Sequence, residues 1–165
     1  MNNSESLTVT SHVSRDLLQS AALFKHEHSV VWEYVANGLQ YIDPNTRPIV
    51  KVRTNQKDKK ISIADNGKGM NWVDLQNFFV MHGENLERKA GRAGRGMFGT
   101  GKSAALGIAS ILRITTIRNG KRSIVELHRA DIEKMNGEEV PVQTIEKEVR
   151  STEANGTLIE IEAIH

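Results

Sequence analysis

The chain has 165 residues, 38% hydrophobic and 25% charged, a composition typical of a globular domain rather than a fibrous or disordered protein. Its formal net charge of +2 is too small to indicate a nucleic-acid-binding protein by itself. The absence of cysteine excludes disulfides, thiol catalysis and cysteine-ligated zinc. No apolar run approaches the roughly 20 residues that span a bilayer, and the first residues do not resemble a signal peptide. We therefore expect a cytoplasmic protein, or a nuclear one in a eukaryote, without a membrane partner.

The first half of the chain predicts helices and one β-hairpin. In chain order, we predict a flexible arm at 1–10, a helix capped by Ser14 at 14–22, a helix at 29–42, and strands at 48–54 and 60–65. The helix at 29–42 is supported by apolar residues at helical spacing, and Pro44 ends this pattern. The two strands alternate between polar and apolar residues, which is typical of a hairpin. Trp32 and Trp72 are expected to pack in the core or against helices.

The second half predicts mainly strands. In chain order, we predict a short helix after Asn71, a mobile charged loop at 82–98, a helix at 100–110, and strands at 111–118, 123–129, 140–149 and 157–163. Asn71 is the expected cap of the short helix, whose buried side is assigned to Trp72, Val73, Leu75, Phe78 and Phe79. Asn119-Gly120 is typical of a type I′ hairpin turn. This order predicts one domain at 11–165, a two-layer α/β sandwich of the α+β kind, with a mostly antiparallel mixed sheet and helices packed on one face.

Residues 96–103, Gly-Met-Phe-Gly-Thr-Gly-Lys-Ser, fit two unrelated nucleotide-binding patterns. They match G-x-x-x-x-G-K-[ST], the P-loop whose amides cradle phosphates, and also a glycine-rich lid of the form G-x-x-G-x-G. A P-loop follows a buried parallel strand, and its fold needs further strand–helix–strand crossovers. Residues 87–95 are charged and glycine-rich, and the last third of the chain predicts hairpins. A P-loop NTPase is therefore the least favoured interpretation.

Three other motifs occur in order around this segment. They are Glu33-Tyr34-Val35-Ala36-Asn37, Asp65-Asn66-Gly67-Lys68-Gly69 and Gly156-Thr157. Together with Gly96-x-x-Gly99-Thr100-Gly101, they resemble the superfamily of gyrase, the ninety-kilodalton heat-shock chaperone, histidine kinases and MutL (GHKL). The resemblance spans 33–157 and implies the Bergerat ATP-binding fold. Met70 and the helix after it look closest to the chaperone-like and MORC-like branches.

The first two motifs contain candidate catalytic, metal-binding and base-binding residues. Glu33 and Asn37 are four residues apart, so they project from one side of a helix. The amide oxygen of Asn37 suits Mg²⁺, and the resemblance implies that Glu33 is the general base of ATP hydrolysis. Asp65 lies at a strand end, where it can accept a hydrogen bond from the exocyclic amine of adenine.

The remaining base contacts come from the glycine loop and the last strand. Gly67 and Gly69 allow the backbone to turn tightly and approach the ring. The resemblance implies a water network that links Asp65, Gly69 and the hydroxyl of Thr157 to the base. Met70 is an apolar neighbour that can pack on the adenine.

The lid, at about 82–103, is predicted to close over the triphosphate. Its candidate phosphate-binding residues are Gly96, Gly99, Thr100, Gly101, Lys102 and Ser103. The glycine amides can wrap the phosphates, and the helix expected after them offers its positive end. Lys102 and Ser103 add a charge and a hydroxyl group, although other residues often stand at the Lys102 position in the family.

These features predict an ATPase domain that binds ATP with Mg²⁺ and hydrolyses it slowly in isolation. Nucleotide binding would order the lid and switch the conformation or the dimerisation of a larger protein. The expected partners are a second copy of the chain or a C-terminal domain, with DNA or a protein as client. An ATP-dependent protein kinase of the same fold and a non-catalytic ATP-sensing module are the alternatives.

Overall fold

The computed structural model describes residues 7–10, 18, 21–22, 25–78, 101–134 and 139–165, with only the backbone at 7–10, 101–103 and 139–140. Several predicted features lie outside the described residues: the cap at Ser14, Phe79, the loop at 82–98, Gly96, Gly99 and Thr100. Within the described ranges, every helix is too short or too polar to cross a bilayer.

The described residues form a seven-stranded sheet with helices. In chain order the elements are β1 (Leu7–Thr10), α1 (Glu27–Gln40), β2 (Val50–Asn55), β3 (Lys60–Asp65), α2 (Trp72–Phe78), a 3₁₀ helix (Gly101–Gly107), β4 (Ala109–Arg118), β5 (Lys121–His128), α3 (Arg129–Lys134), β6 (Glu139–Arg150) and β7 (Gly156–Ile164). The strand order is β1-β6-β5-β4-β7-β3-β2, and every neighbouring pair is antiparallel. The predicted α+β sandwich with a mostly antiparallel sheet is confirmed.

Two apolar rows cross one face of the sheet. Each row follows from the strand pairing, because residues that pair directly between antiparallel strands share a face. The first row is Val142, Leu127, Leu112, Ile161 and Ile61. The second is Val125, Ile114, Ile159 and Ile63. All of these side chains are buried, and they join one core with helical residues that include Val30, Tyr34, Leu75, Leu106 and Ile132. The core therefore lies between this face and the helices.

A polar row follows the two apolar rows on the same face. Its members are Ser123, Thr116, Thr157 and Asp65, which pair in this order across β5, β4, β7 and β3. Thr116 and Ser123 are buried. We call these four residues the polar row. It ends the hydrophobic core on the side where the glycine loop leaves β3.

In the part of the chain that the structure describes, the opposite face of the sheet carries ion pairs rather than helices. Lys60 of β3 pairs with Glu160 and Glu162 of the neighbouring strand β7, and Arg113 pairs with Glu126. Partly exposed pairs of this kind contribute little to stability. They do keep this face of the sheet polar, so the alternation along each strand sets which face receives the helices.

Helix α1 was predicted at 29–42 and is observed from Glu27 to Gln40. Its buried side is formed by Val30, Tyr34 and Gly38. Trp32 is 63% exposed, so the expectation that it packs in the core or against a helix is wrong. The Trp32 side chain projects from the side of α1 opposite the buried residues Val30, Tyr34 and Gly38, which are spaced four residues apart. Trp72 is partly buried against the core, as expected.

The predicted helix cap at Asn71 and the predicted hairpin turn at Asn119-Gly120 are confirmed. The Asn71 side chain accepts a hydrogen bond from the Asp74 amide at 2.8 Å, and the Asn71 amide donates to the Asp74 carboxylate at 3.3 Å, which together form a capping box. Asn119 and Gly120 have φ of 52° and 74°, the positive values that a type I′ turn requires. Val73, however, is 59% exposed and does not belong to the buried side of α2.

Three other elements differ from the prediction. The helix expected at 100–110 is a 3₁₀ helix that ends at Gly107, because β4 begins at Ala109 to pair with Ile164. Residues 129–134 form α3, in a region predicted to be all β, and Ile132 is buried there. Residues 7–10 lie within the predicted flexible arm, yet they form β1 and pair with β6.

Candidate functional site

Asp65 is the last residue of β3 and the carboxylate at the end of the polar row. Its Oδ1 accepts a hydrogen bond from the Gly67 amide at 2.8 Å. Burial raises the pKa of Asp65, while hydrogen bonds from the amides of Gly67 and Thr157 partly oppose this rise. The site therefore holds a partly buried acceptor, which suits a ligand that brings a donor.

Three glycines surround Asp65, each on a different element. A Cβ at Gly38 of α1 would lie 3.1 Å from Asp65 Cβ and 3.3 Å from Oδ2. A Cβ at Gly67 would lie 2.9 Å from Oδ1, and one at Gly156 of β7 would lie 2.4 Å from the Asp65 carbonyl oxygen. Such distances leave no room for a side chain at Gly156. The backbones of a helix, a loop and a strand thus approach this aspartate closely.

The loop after β3 is held from both sides. The Lys68 amide donates to the Tyr41 carbonyl at 3.0 Å, and the Met70 amide donates to the Thr116 hydroxyl at 2.8 Å. Gly69 has a φ of 69°, and a Cβ there would lie 1.9 Å from the Ile117 carbonyl oxygen. Only glycine fits at this position, so the loop predicted to approach the base is fixed against β4.

Thr157 and Thr116 bring two hydroxyl groups together beside the loop. Their Oγ1 atoms are 3.2 Å apart, and Thr116 Oγ1 is also 3.4 Å from the Gly156 carbonyl oxygen. Thr157 was expected in the site, whereas sequence reasoning missed Thr116. A signal was present, since a threonine follows Leu112 and Ile114 at an inward-facing position of the same strand.

Glu33 and Asn37 lie on α1 beside this group. Asn37 precedes Gly38, whose backbone packs against Asp65, and Glu33 lies one turn earlier. Both side chains are partly buried, and burial raises the pKa of the Glu33 carboxyl. Gly38 was also missed, although a glycine inside a helical pattern often marks a close approach.

The helix that carries Glu33 and Asn37 is tied to the segment after the predicted lid. The Ala105 amide in the 3₁₀ helix donates to the buried Tyr34 hydroxyl at 3.3 Å. Burial raises the pKa of Tyr34, so this phenol stays neutral. Gly101, Lys102 and Ser103 begin the same 3₁₀ helix, where only the backbone is described. Their predicted phosphate contacts remain predictions.

The fold and the gathered motifs are those of a known family of ATP-binding domains. Residues 25–158 match the family described as histidine kinase-, DNA gyrase B-, and HSP90-like ATPase. The chain belongs to this family, and ATP binding is implied by membership. The GHKL resemblance is confirmed, while the chaperone-like or MORC-like branch remains a prediction. An antiparallel arrangement of all the described strands also leaves no parallel strand to carry a P-loop.

Among curated proteins, the chain is similar to the DNA gyrase B protein of Spiroplasma citri. The two are 28% identical over 142 residues, which cover 80% of this chain and 21% of that protein. The chain thus spans about a fifth of the relative's length.

Proposed function

We propose that the chain binds ATP together with Mg²⁺, hydrolyses it slowly, and uses the nucleotide to switch a larger protein between conformations. The observation that carries this proposal is the environment of Asp65. A partly buried carboxylate lies beside two hydroxyls and a loop fixed by glycines, and burial raises its pKa even though two backbone amides donate to it. An adenine amine would supply one further donor to this carboxylate.

Glu33 is the proposed general base. It lies one turn from Asn37 on a helix whose backbone packs against Asp65, so a nucleotide held at Asp65 would direct its phosphates along α1. A carboxylate with a raised pKa binds a proton more readily than an ordinary glutamate, which favours removal of a proton from the attacking water. The same shift means that the active, ionised fraction falls below the ordinary level in mildly acidic solution.

Asn37 is the proposed protein ligand of Mg²⁺. Among the described residues, no three histidine or carboxylate side chains are placed to hold a metal ion. A single amide oxygen is a weak site alone, but Mg²⁺ commonly binds through one or two protein oxygens together with phosphates and waters. Metal binding is therefore expected to depend on the nucleotide, and the bound ion would neutralise charge on the phosphates.

The lid supplies the proposed switch. The lid would close on the triphosphate and open after hydrolysis. The groups that contact the phosphates would be Gly96, Gly99, Thr100, the backbone of Gly101 and the side chains of Lys102 and Ser103. The tie between Tyr34 and Ala105 supports a coupling between the end of this segment and the catalytic helix. Closure would promote dimerisation or docking of a further domain. Similarity to a DNA gyrase protein favours DNA over a protein as the client of that larger protein.

The test compares Glu33→Gln with the wild type. The variant should retain ATP affinity in calorimetry and lose about a hundredfold or more in the rate of phosphate release, the lower range for removal of a general base. Glu27→Gln, an exposed change in the first turn of the same helix, is the matched control and should leave both quantities unchanged. Addition of a chelator should weaken ATP binding in all three proteins.

The pH profile gives a second measurement. Because the pKa of Glu33 is raised, wild-type turnover should increase with pH through a range above that of an ordinary glutamate, and the increase should be absent in Glu33→Gln. Unchanged turnover in Glu33→Gln would contradict the assignment of the base. Transfer of labelled phosphate to a protein would instead indicate a kinase, and tight ATP binding without turnover in the dimer would indicate a sensor.

A further inference from the structure

Thr116 is a buried polar side chain between the glycine loop and Thr157. It is 0% exposed and faces inward at the end of two apolar rows, where a valine of equal size would satisfy packing. Its Oγ1 instead has three polar neighbours: the Met70 amide at 2.8 Å, Thr157 Oγ1 at 3.2 Å and the Gly156 carbonyl oxygen at 3.4 Å. These contacts determine which hydroxyl can offer its proton to a ligand.

A threonine hydroxyl has one proton and two acceptor positions. The Met70 amide can only donate, so it occupies one acceptor position of Thr116. The Gly156 carbonyl can only accept, so a bond to it would use the Thr116 proton. Thr157 would then have to donate its own proton to Thr116, and it would face a ligand only as an acceptor.

The alternative arrangement uses the shorter contact. Thr116 donates its proton to Thr157 Oγ1 at 3.2 Å rather than to the Gly156 carbonyl oxygen at 3.4 Å, the longer and therefore weaker of the two contacts. Thr157 then keeps its own proton and can donate it. Asp65, two strands from Thr116 in the same row, remains an acceptor. The row thus presents an acceptor beside a donor.

We propose that Thr116 is a positioning residue that makes Thr157 a hydrogen-bond donor to the purine and so contributes to selection of adenine over guanine. This inference rests on the proposed ATP binding. The Watson–Crick edge of adenine presents an amine donor beside a ring-nitrogen acceptor, which matches Asp65 and Thr157 directly or through one water. Guanine presents an acceptor beside a donor, the opposite order.

The experiment measures ATP and GTP affinities of the whole chain with Mg²⁺ by calorimetry. Thr116→Val keeps the shape and removes the hydroxyl, and Thr116→Ser restores it. Thr115→Val is the matched control, because the neighbouring residue faces the opposite side of β4 and pairs with Leu158 and Ile124. Thr157→Val and the double variant with Thr116→Val complete a thermodynamic cycle.

Thr116→Val should weaken ATP binding about three- to tenfold, the range for one neutral hydrogen bond. GTP binding should weaken less, so the ratio of the two affinities falls. Thr116→Ser should recover most of the wild-type ratio, and Thr115→Val should match the wild type. In the Thr157→Val background, the further change at Thr116 should alter ATP affinity by less than about twofold, because Thr116 acts through Thr157.

A merely structural role would give a different pattern. Thr116 also holds the Met70 amide, so its loss lowers thermal stability in either case. Independent effects in the double variant, or an unchanged ratio of ATP to GTP affinity, would overturn the proposal. If the wild type bound no adenine nucleotide, the proposed function itself would fail, and this outcome is recognised before any variant is compared.

A second measurement needs no variant, should Thr116→Val not fold. In 1-deaza-ATP a C–H group replaces the ring nitrogen beside the amine. Wild-type protein should bind this analogue about three- to tenfold more weakly than ATP, because the proton of Thr157 loses its acceptor. Equal affinities would show that Thr157 does not donate to this edge and would overturn the role assigned to Thr116.

Discussion

Replacement of Asp65 by asparagine separates the binding and stability roles of this carboxylate. The change keeps the size of the side chain and removes its charge. Because Oδ1 accepts from the Gly67 amide at 2.8 Å, the asparagine oxygen should keep this position, and its NH₂ group should replace Oδ2. A donor would then face the adenine amine. Loss of a hydrogen bond to a charged group is worth about 1.5–3 kcal/mol, so ATP affinity should fall roughly 10- to 150-fold.

The same substitution should not destabilise the protein without nucleotide. Burial raises the pKa of Asp65 in the folded state, so between the ordinary and the raised pKa the folded protein binds more protons than the unfolded chain. The stability contributed by this group is therefore present at low pH and is lost as pH rises through the folded pKa. At neutral pH, asparagine removes the cost of a buried charge, and the melting temperature should stay equal or increase.

Two measurements separate these effects: calorimetry with ATP, and thermal melts of the free protein from about pH 4 to about pH 8. This pH range covers the titration of a carboxylate with a raised pKa. Asp131→Asn is the control. Asp131 lies in α3, just after β5, where its carboxylate accepts a hydrogen bond from the Gln143 side chain. This change should alter neither the ATP affinity nor the melting temperature. Retained ATP affinity in Asp65→Asn would refute the assignment of the adenine acceptor. A lower melting temperature at neutral pH would refute the argument from burial.

Two further predictions concern glycines at the site. Gly38→Ala should weaken ATP binding, because its Cβ would lie 3.1 Å from Asp65 Cβ. For the same reason it should not give the gain in stability of about 0.5–1 kcal/mol expected for alanine in a helix. Calorimetry and thermal melts test this, and a more stable protein with full ATP affinity would contradict it. Gly69→Ala should destabilise the fold by more than about 1–2 kcal/mol, because its φ is 69° and its Cβ would lie 1.9 Å from the Ile117 carbonyl oxygen. A denaturant midpoint equal to that of the wild type would show that the loop can rearrange.

The sequence predicts those parts of the fold that depend on local chemistry. The strand at 60–65 has the predicted bounds, and the turn at Asn119-Gly120 has the predicted backbone. Both follow from side-chain alternation or from glycine and asparagine at positive φ, which neighbouring residues determine. The motifs at Asp65 and Thr157 are likewise brought together as predicted.

The missed features depend on pairing between distant segments. Thr116 belongs to the site because the register places it opposite both Thr157 and Ser123, and no local pattern specifies this register. Gly38 belongs to it because α1 crosses the sheet at Asp65. The helix expected to continue to residue 110 stops at Gly107, because pairing of Ala109 with Ile164 extends β4. In each case a tertiary contact overrides a local preference.

The glycines around Asp65 explain how a charged group can be kept partly buried. A carboxylate at a strand end would ordinarily turn toward water and lose its raised pKa. Here the backbones of α1, the glycine loop and β7 approach it through Gly38, Gly67 and Gly156, and a rigid backbone can withhold solvent more reliably than mobile side chains can. The unfavourable burial therefore persists in the free protein, and a ligand that brings a donor relieves it. For the proposed adenine site, part of the affinity for a purine amine would therefore come from a carboxylate whose burial the fold already imposes.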